Sequence, residues 1–192
     1  MKANRMEAFS DGVLAIIITI MVLEFKLPEG HDWKSLTYLF PKVLSYIFSF
    51  VYVGIYWNNH HHLLHMIRTM NGRLMWLNLL LFWLSLVPFT TAWMGESHFA
   101  PTPMALYGII LTLASMSYWL LQRSIINQHP KNSHFHTIGR GWKAKLSPIL
   151  YLLTVVTAYL SPWVSGFFII LVAIIWFVPD RRIEELLERN NG

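Results

Sequence analysis

The feature that most constrains this chain is an acidic side chain inside an otherwise apolar segment of helical length. The segment runs from Arg5 to Phe25, and only its first third is polar. As a helix it would be roughly 31 Å long, close to the thickness of one bilayer core. Because a carboxylate at that depth costs about 2.5–3.5 kcal/mol on insertion scales, Asp11 is a candidate functional residue.

The helical repeat gives this first segment two distinct faces. Glu7 and Asp11 lie one turn apart on a polar face, where two like charges destabilise a helix unless another helix supplies a cation or hydrogen-bond donors. Periodicity leaves two interpretations of the other face, namely helix–helix packing or the lining of a pore. One helix cannot enclose a pore, so the second interpretation requires several copies. This other face is aliphatic apart from one hydroxyl: Ile16, Thr19 and Leu23, with Ile20 at its edge.

The composition excludes an ordinary soluble protein. Of the 192 residues, 55% are hydrophobic and only 13% are charged, and apolar runs of membrane length recur. We therefore expect an all-α integral membrane protein whose residues 1–192 form a single domain. The absence of cysteine excludes disulfides, thiolate metal sites and thiol nucleophiles. A net charge of +5 in such a protein reflects its orientation and does not indicate nucleic-acid binding.

Six apolar segments are predicted to be transmembrane helices, with a kink at Pro88 in the third. An even number places both termini on one side, and the basic residues indicate which. All but three of the 15 Lys and Arg residues lie in the termini and in the two connections on that side, so both termini should be cytoplasmic in a multi-pass protein of the cell membrane. A polar connector at 127–141 and a charged helix at 180–189 complete the prediction. The predicted spans are 5–25, 36–65, 74–93, 104–126, 144–160 and 163–178.

A cluster of histidines ends the second predicted span, at the depth of Glu7 and Asp11. We interpret it as one side of an interhelical network in which His60 or His61 pairs with Asp11; the alternative is that these are interfacial histidines at a helix end. His61 and His65 also have the one-turn spacing of metal ligands. We favour neither a metal nor a cofactor, because the chain lacks thiolates and an HExxH motif and the nearby acids already have partners.

These residues resemble a known family. Arg5, Phe9, Ser10 and Asp11 form the pattern R-x-x-x-F-S-D, which is followed by an aliphatic stretch and by a tryptophan–histidine motif in the second span. The segments Leu77-Asn78-Leu79-Leu80, Val87-Pro88-Phe89 and Gly95-Glu96 extend the likeness. The chain resembles a prokaryotic member of the transmembrane protein 175 family, potassium channels whose animal relatives act in lysosomes and endosomes.

The resemblance implies six spans per repeat and one repeat per chain, and therefore a homotetramer whose first helices line a central pore. It implies that Ile16 and Leu23 form an aliphatic constriction in place of a carbonyl filter, with Thr19 as a polar layer between them and Ile20 as a lesser candidate. Glu24, one turn above Ile20, would either draw cations to the outer mouth of such a pore or simply be an interfacial residue. The residues expected to form a structural network are Arg5, Phe9, Ser10, Asp11, Trp57, His60 and His61.

The sequence and the resemblance lead to three alternative hypotheses about the function of the protein. The leading hypothesis is a tetrameric, potassium-permeable cation channel in the lipid bilayer, open to other monovalent cations, with no cofactor and no enzymatic activity. The alternative is a proton-coupled transporter or proton channel that uses Asp11 with His60 or His61. A third and weaker hypothesis is a membrane metalloenzyme built on His61 and His65.

Overall fold

The regular structure of the protein is helical throughout the residues that a computed structural model describes, namely 3–28, 30–130 and 142–177. The predicted charged helix at 180–189 and most of the polar connector at 127–141 lie outside these ranges. The described elements are α1 (Ala3–Leu23), a 3-10 helix (Trp33–Leu39), α2 (Phe40–His65), α3 (Gly72–Leu77), α4 (Leu80–Ser85), α5 (Val87–Glu96), α6 (Pro101–Ile126), α7 (Trp142–Ala158) and α8 (Pro162–Phe177).

The helices group into the six segments that the sequence predicts, because α3, α4 and α5 follow one another as a single broken segment. Among the residues that the structure describes, four segments are long and apolar enough to cross a membrane: Asn4–Leu23, Trp33–His65, Gly72–Glu96 and Pro101–Ile126. The helix α8 is shorter and also apolar, and α7 has 17 residues. The described part of the chain is therefore all-helical in its regular structure, and its apolar segments indicate a multi-pass membrane protein, as expected.

The third segment is broken twice, whereas the sequence predicted one kink. The break at Leu86 precedes Pro88, which lies in the first turn of α5 and has no N–H to continue the ladder from α4. The second break, at Asn78 and Leu79, was not predicted. The Asn78 N–H closes α3 by donating to the Leu74 carbonyl at 3.0 Å, and the side chain turns towards α1 and α2.

The helix α1 packs against α2, α4 and α5. Behind it, α2 and α5 approach almost backbone to backbone. A Cβ added at Gly95 would lie 2.7 Å from the Lys42 Cα and 2.8 Å from the Ser45 Oγ, so only glycine fits there. The Ser45 hydroxyl donates to the Thr91 carbonyl at 3.0 Å across the same contact. The helix α1 packs against this close pair of helices.

The segment between α1 and α2 is ordered by a local cap. Asp32 precedes the 3-10 helix, and the Ser35 N–H donates to its Oδ1 at 2.9 Å. The Ser35 hydroxyl donates to the same carboxylate, and these two hydrogen bonds lower the pKa of the Asp32 carboxyl group. The cap sets where the chain turns back into the second segment.

Candidate functional site

The aliphatic face of α1 is exposed in the single chain. Ile16 is 58% exposed and Leu23 is 78% exposed, and Thr19 and Ile20 are also exposed between them. The opposite face carries side chains of the same kind but is buried to 2% exposure or less, at Leu14, Ile17 and Met21. The chain therefore does not use the predicted aliphatic face for its own packing.

The Thr19 side chain presents acceptors on this exposed face. Its hydroxyl donates to the Ile16 carbonyl of its own helix at 2.9 Å. A hydroxyl has one proton and two lone pairs, so once the proton is used within the helix the oxygen can only accept. Thr19 is thus a single position of oxygen character between two aliphatic positions on this face of α1.

Glu24 follows the last residue of α1 and borders two clefts. One cleft of about 420 Å³ lies between the aliphatic face and α5, and is lined by Ile16, Ile20 and Phe89 among others. The second, of about 480 Å³, lies on the other side of Glu24 and contains the ion pair between Lys42 and Glu96. The carboxylate of Glu24 therefore stands at the end of the exposed aliphatic face.

A buried hydrogen-bond chain anchors the polar end of α1. The Ser10 hydroxyl donates to the Met6 carbonyl at 2.7 Å and accepts from the Asn78 Nδ2 at 3.1 Å. The Asn78 Oδ1 lies 2.8 Å from the His60 Nε2, which donates to it. Because Ser10, His60 and Asn78 are all buried, these bonds join α1, α2 and the broken third segment at one point.

The hydrogen-bond partners within this network differ from those predicted from the sequence. Asp11 accepts from the Trp57 Nε1 at 3.0 Å, and neither histidine pairs with it. His60 bonds to Asn78, and the His61 Nδ1 lies 2.8 Å from the Glu7 Oε1. Trp57 reaches Asp11 because it is one turn before His61 on the same face of α2.

Two predicted members of the network stand apart from it, and one member was missed. Arg5 and Phe9 are exposed, and Arg5 forms no hydrogen bond or ion pair with another described residue. Asn78 was missed as a site residue. Its signal was present in the sequence, as a lone amide within an apolar span, where a polar side chain usually faces another helix.

Comparisons with known proteins identify the family. The family described as endosomal/lysosomal potassium channel TMEM175 matches residues 5–88, which contain both faces of α1 and its polar anchor. A potassium channel from Chryseobacterium sp. is 52% identical over 192 residues, covering 99% of this chain and 100% of the relative. The chain belongs to the TMEM175 family.

Further relatives agree with this assignment. The crystal structure of a lysosomal potassium-selective channel TMEM175 homolog from Chamaesiphon minutus matches with a TM-score of 0.78 at 28% identity, over 91% of this chain and 95% of that one. A human endosomal/lysosomal proton channel TMEM175 is 36% identical over 75 aligned residues, and the match covers 33% of this chain and 15% of the relative. The family and these relatives are described as channels, consistent with a non-enzymatic protein.

Proposed function

We propose that the protein is a potassium-permeable cation channel of the cell membrane, in which four copies of one channel domain place their α1 helices around a central pore. The observation that carries the proposal is the exposed aliphatic face of α1, interrupted only by Thr19, on a helix whose other face is fully packed. The potassium-channel descriptions of the TMEM175 relatives support it.

Geometry supports more than one copy, and the resemblance to the family supports four. A single α1 presents one strip of side chains, which cannot surround an ion. One R-x-x-x-F-S-D pattern per chain corresponds to one repeat, and the resemblance associates one repeat per chain with a tetramer. Both termini then face the cytoplasm, as the distribution of basic residues predicts.

The gate is a pair of aliphatic rings. Four copies of Ile16 and four of Leu23, with Ile20 as a lesser contributor, narrow the pore to a width at which an apolar wall expels water. Ion conduction stops when the wall is dry. A small rotation of α1 that moves these side chains off the axis restores a wetted path.

Selectivity depends on the position between these rings. An aliphatic ring offers no ligand to replace the water around an ion. It therefore favours potassium only weakly, because potassium loses its water at a lower cost than sodium does. Four Thr19 oxygens add acceptors at one level of the pore, because each hydroxyl proton is engaged by the Ile16 carbonyl. Glu24 raises the local cation concentration at the outer mouth. The channel should therefore prefer potassium modestly and pass other monovalent cations.

The test is ion flux in proteoliposomes. Ile16→Ala and Leu23→Ala remove constriction volume and should raise potassium flux. Val156→Ala is a matched control, because Val156 is 58% exposed on α7, which is not among the helices packed on α1. Thr19→Val keeps the shape and removes the oxygen, and should lower the preference for potassium over sodium. Flux and selectivity that stay at the wild-type level in all three α1 variants would contradict the proposal.

A second candidate function is a proton channel or proton-coupled transporter. It is favoured by the human relative described as a proton channel and by the hydrogen-bonded chain from His60 through Asn78 to Ser10. Asp11 is bonded to Trp57 outside this chain, so a route from acid to imidazole is interrupted. Proton flux without potassium flux, abolished by Asp11→Asn in tetramers that still assemble, would favour this alternative.

A further inference from the structure

Three side chains of the kind that bind transition metals converge where α1 begins and α2 ends. The Glu7 Oε1 lies 2.8 Å from the His61 Nδ1 and 3.5 Å from the His65 Nε2. The Nε2 atoms of His61 and His65 are 3.2 Å apart. One donor atom from each residue lies within 4.8 Å of the donors of the other two. Two imidazoles and one carboxylate from different helices thus share one small volume.

These separations suit a tetrahedral metal ion. Zinc bonds of about 2.0–2.2 Å to nitrogen and oxygen place neighbouring ligand atoms roughly 3.4 Å apart. The separation of 3.2 Å between the Nε2 atoms of His61 and His65 and the separation of 3.5 Å between the His65 Nε2 and the Glu7 Oε1 lie on either side of this value. Glu7 contacts the other ring nitrogen of His61, Nδ1, at 2.8 Å, so a side-chain rotation of Glu7 or His61 has to bring the third ligand atom onto the same ion. Two histidines and a glutamate, with water in the fourth position, are a recurrent donor set for zinc, whereas potassium, magnesium and calcium prefer oxygen donors alone.

The surroundings hold the ligands in place. His61 and His65 are one turn apart on α2, which puts both imidazoles on one face. Trp57 stacks on His61 with the ring planes 28° apart, and it is itself fixed by its bond to Asp11. A ligand that is already oriented loses less freedom on binding. The side chains of His61 and His65 are 38% and 48% exposed, so water can reach the fourth position.

We propose that Glu7, His61 and His65 bind one Zn²⁺ ion per chain, and that the ion joins the start of α1 to the end of α2. The sequence alone favours no metal, because the chain lacks thiolates and an HExxH motif and the nearby acids have a simpler use. The structure adds the third ligand from α1. This site does not depend on the proposed channel function, because Glu7 lies on the polar face of α1 and not on the aliphatic face, and the two histidines lie on α2.

The test measures zinc retained by the full-length protein, purified in detergent without an affinity tag and dialysed with Zn²⁺. We expect one zinc ion per chain by elemental mass spectrometry. His65→Gln removes one ligand and keeps the Glu7–His61 pair, and it should weaken binding by at least about tenfold, since even changes behind the ligands cost 10–100-fold. His31→Gln is the matched control, as an exposed histidine in the connection after α1, and should bind like the wild type.

Thermal unfolding gives a second measurement. Because Zn²⁺ binds only the folded site, it should raise the Tm of the wild type and of His31→Gln. It should leave the Tm of Glu7→Gln and of His65→Gln unchanged. Gel filtration establishes that each variant is folded and assembled. The proposal is overturned if the wild type retains no more zinc than His65→Gln, or if Glu7→Gln binds zinc as tightly as the wild type.

Discussion

The two faces of α1 carry similar side chains in opposite environments. Ile17 is 2% exposed and packs into the core, while its neighbour Ile16 is 58% exposed and contacts little of its own chain. Both faces also carry a hydroxyl that bonds to its own helix, buried at Ser10 and exposed at Thr19. Similar side chains therefore serve folding on one face of this helix and, we propose, conduction on the other.

The largest expected contrast comes from shortening the two neighbouring isoleucines. Ile17→Ala leaves a cavity in the core and should lower the free energy of unfolding by about 2–5 kcal/mol. Ile16→Ala removes an exposed side chain and should change it by about 0.5 kcal/mol or less. Thermal unfolding of both variants in detergent measures the difference, and equal losses would mean that the two faces are not distinct.

The next effect concerns the close contact between α2 and α5, which lies behind the buried face of α1. Gly95→Ala would press a methyl group against the Lys42 backbone and force α2 and α5 apart, at a cost of about 1–3 kcal/mol. The matched control is Gly54→Ala on α2, because an added Cβ there meets no atom within 4 Å and alanine favours the helix. A Tm for Gly95→Ala at or above that of Gly54→Ala would disprove the close contact.

The smallest effect separates the two hydroxyls. Ser10→Ala leaves the Asn78 amide without its buried acceptor and should cost about 1 kcal/mol of stability. Thr19→Ala should cost less, because Thr19 is exposed and no other described side chain is bonded to it. Its effect should appear in the potassium-to-sodium flux ratio instead. A Thr19→Ala variant that unfolds more readily than Ser10→Ala would reverse the assignment of the two faces.

Periodicity and length predicted much of this arrangement. The 3.6-residue repeat separates Ile16, Thr19 and Leu23 from the polar face of α1, and runs of apolar residues predict the six segments. The hydrogen-bond partners could not be predicted, because they depend on how three segments meet in space. The sequence shows Asn78 as a lone amide in an apolar span, but it does not show that His60 of α2 and Ser10 of α1 are its partners. The pairing of Glu7 with His61 likewise requires the relative height of two helices.

The most direct test of the central claim uses the absence of native cysteine. Leu23→Cys places a single thiol at the outer end of the exposed face of α1, and Val156→Cys places one on the exposed face of α7. A positively charged, water-soluble thiol reagent added to proteoliposomes should sharply reduce potassium flux through Leu23→Cys, because the thiol would line the proposed pore. It should leave flux through Val156→Cys unchanged. Flux through Leu23→Cys that is unaffected although labelling is complete would contradict a pore lined by α1.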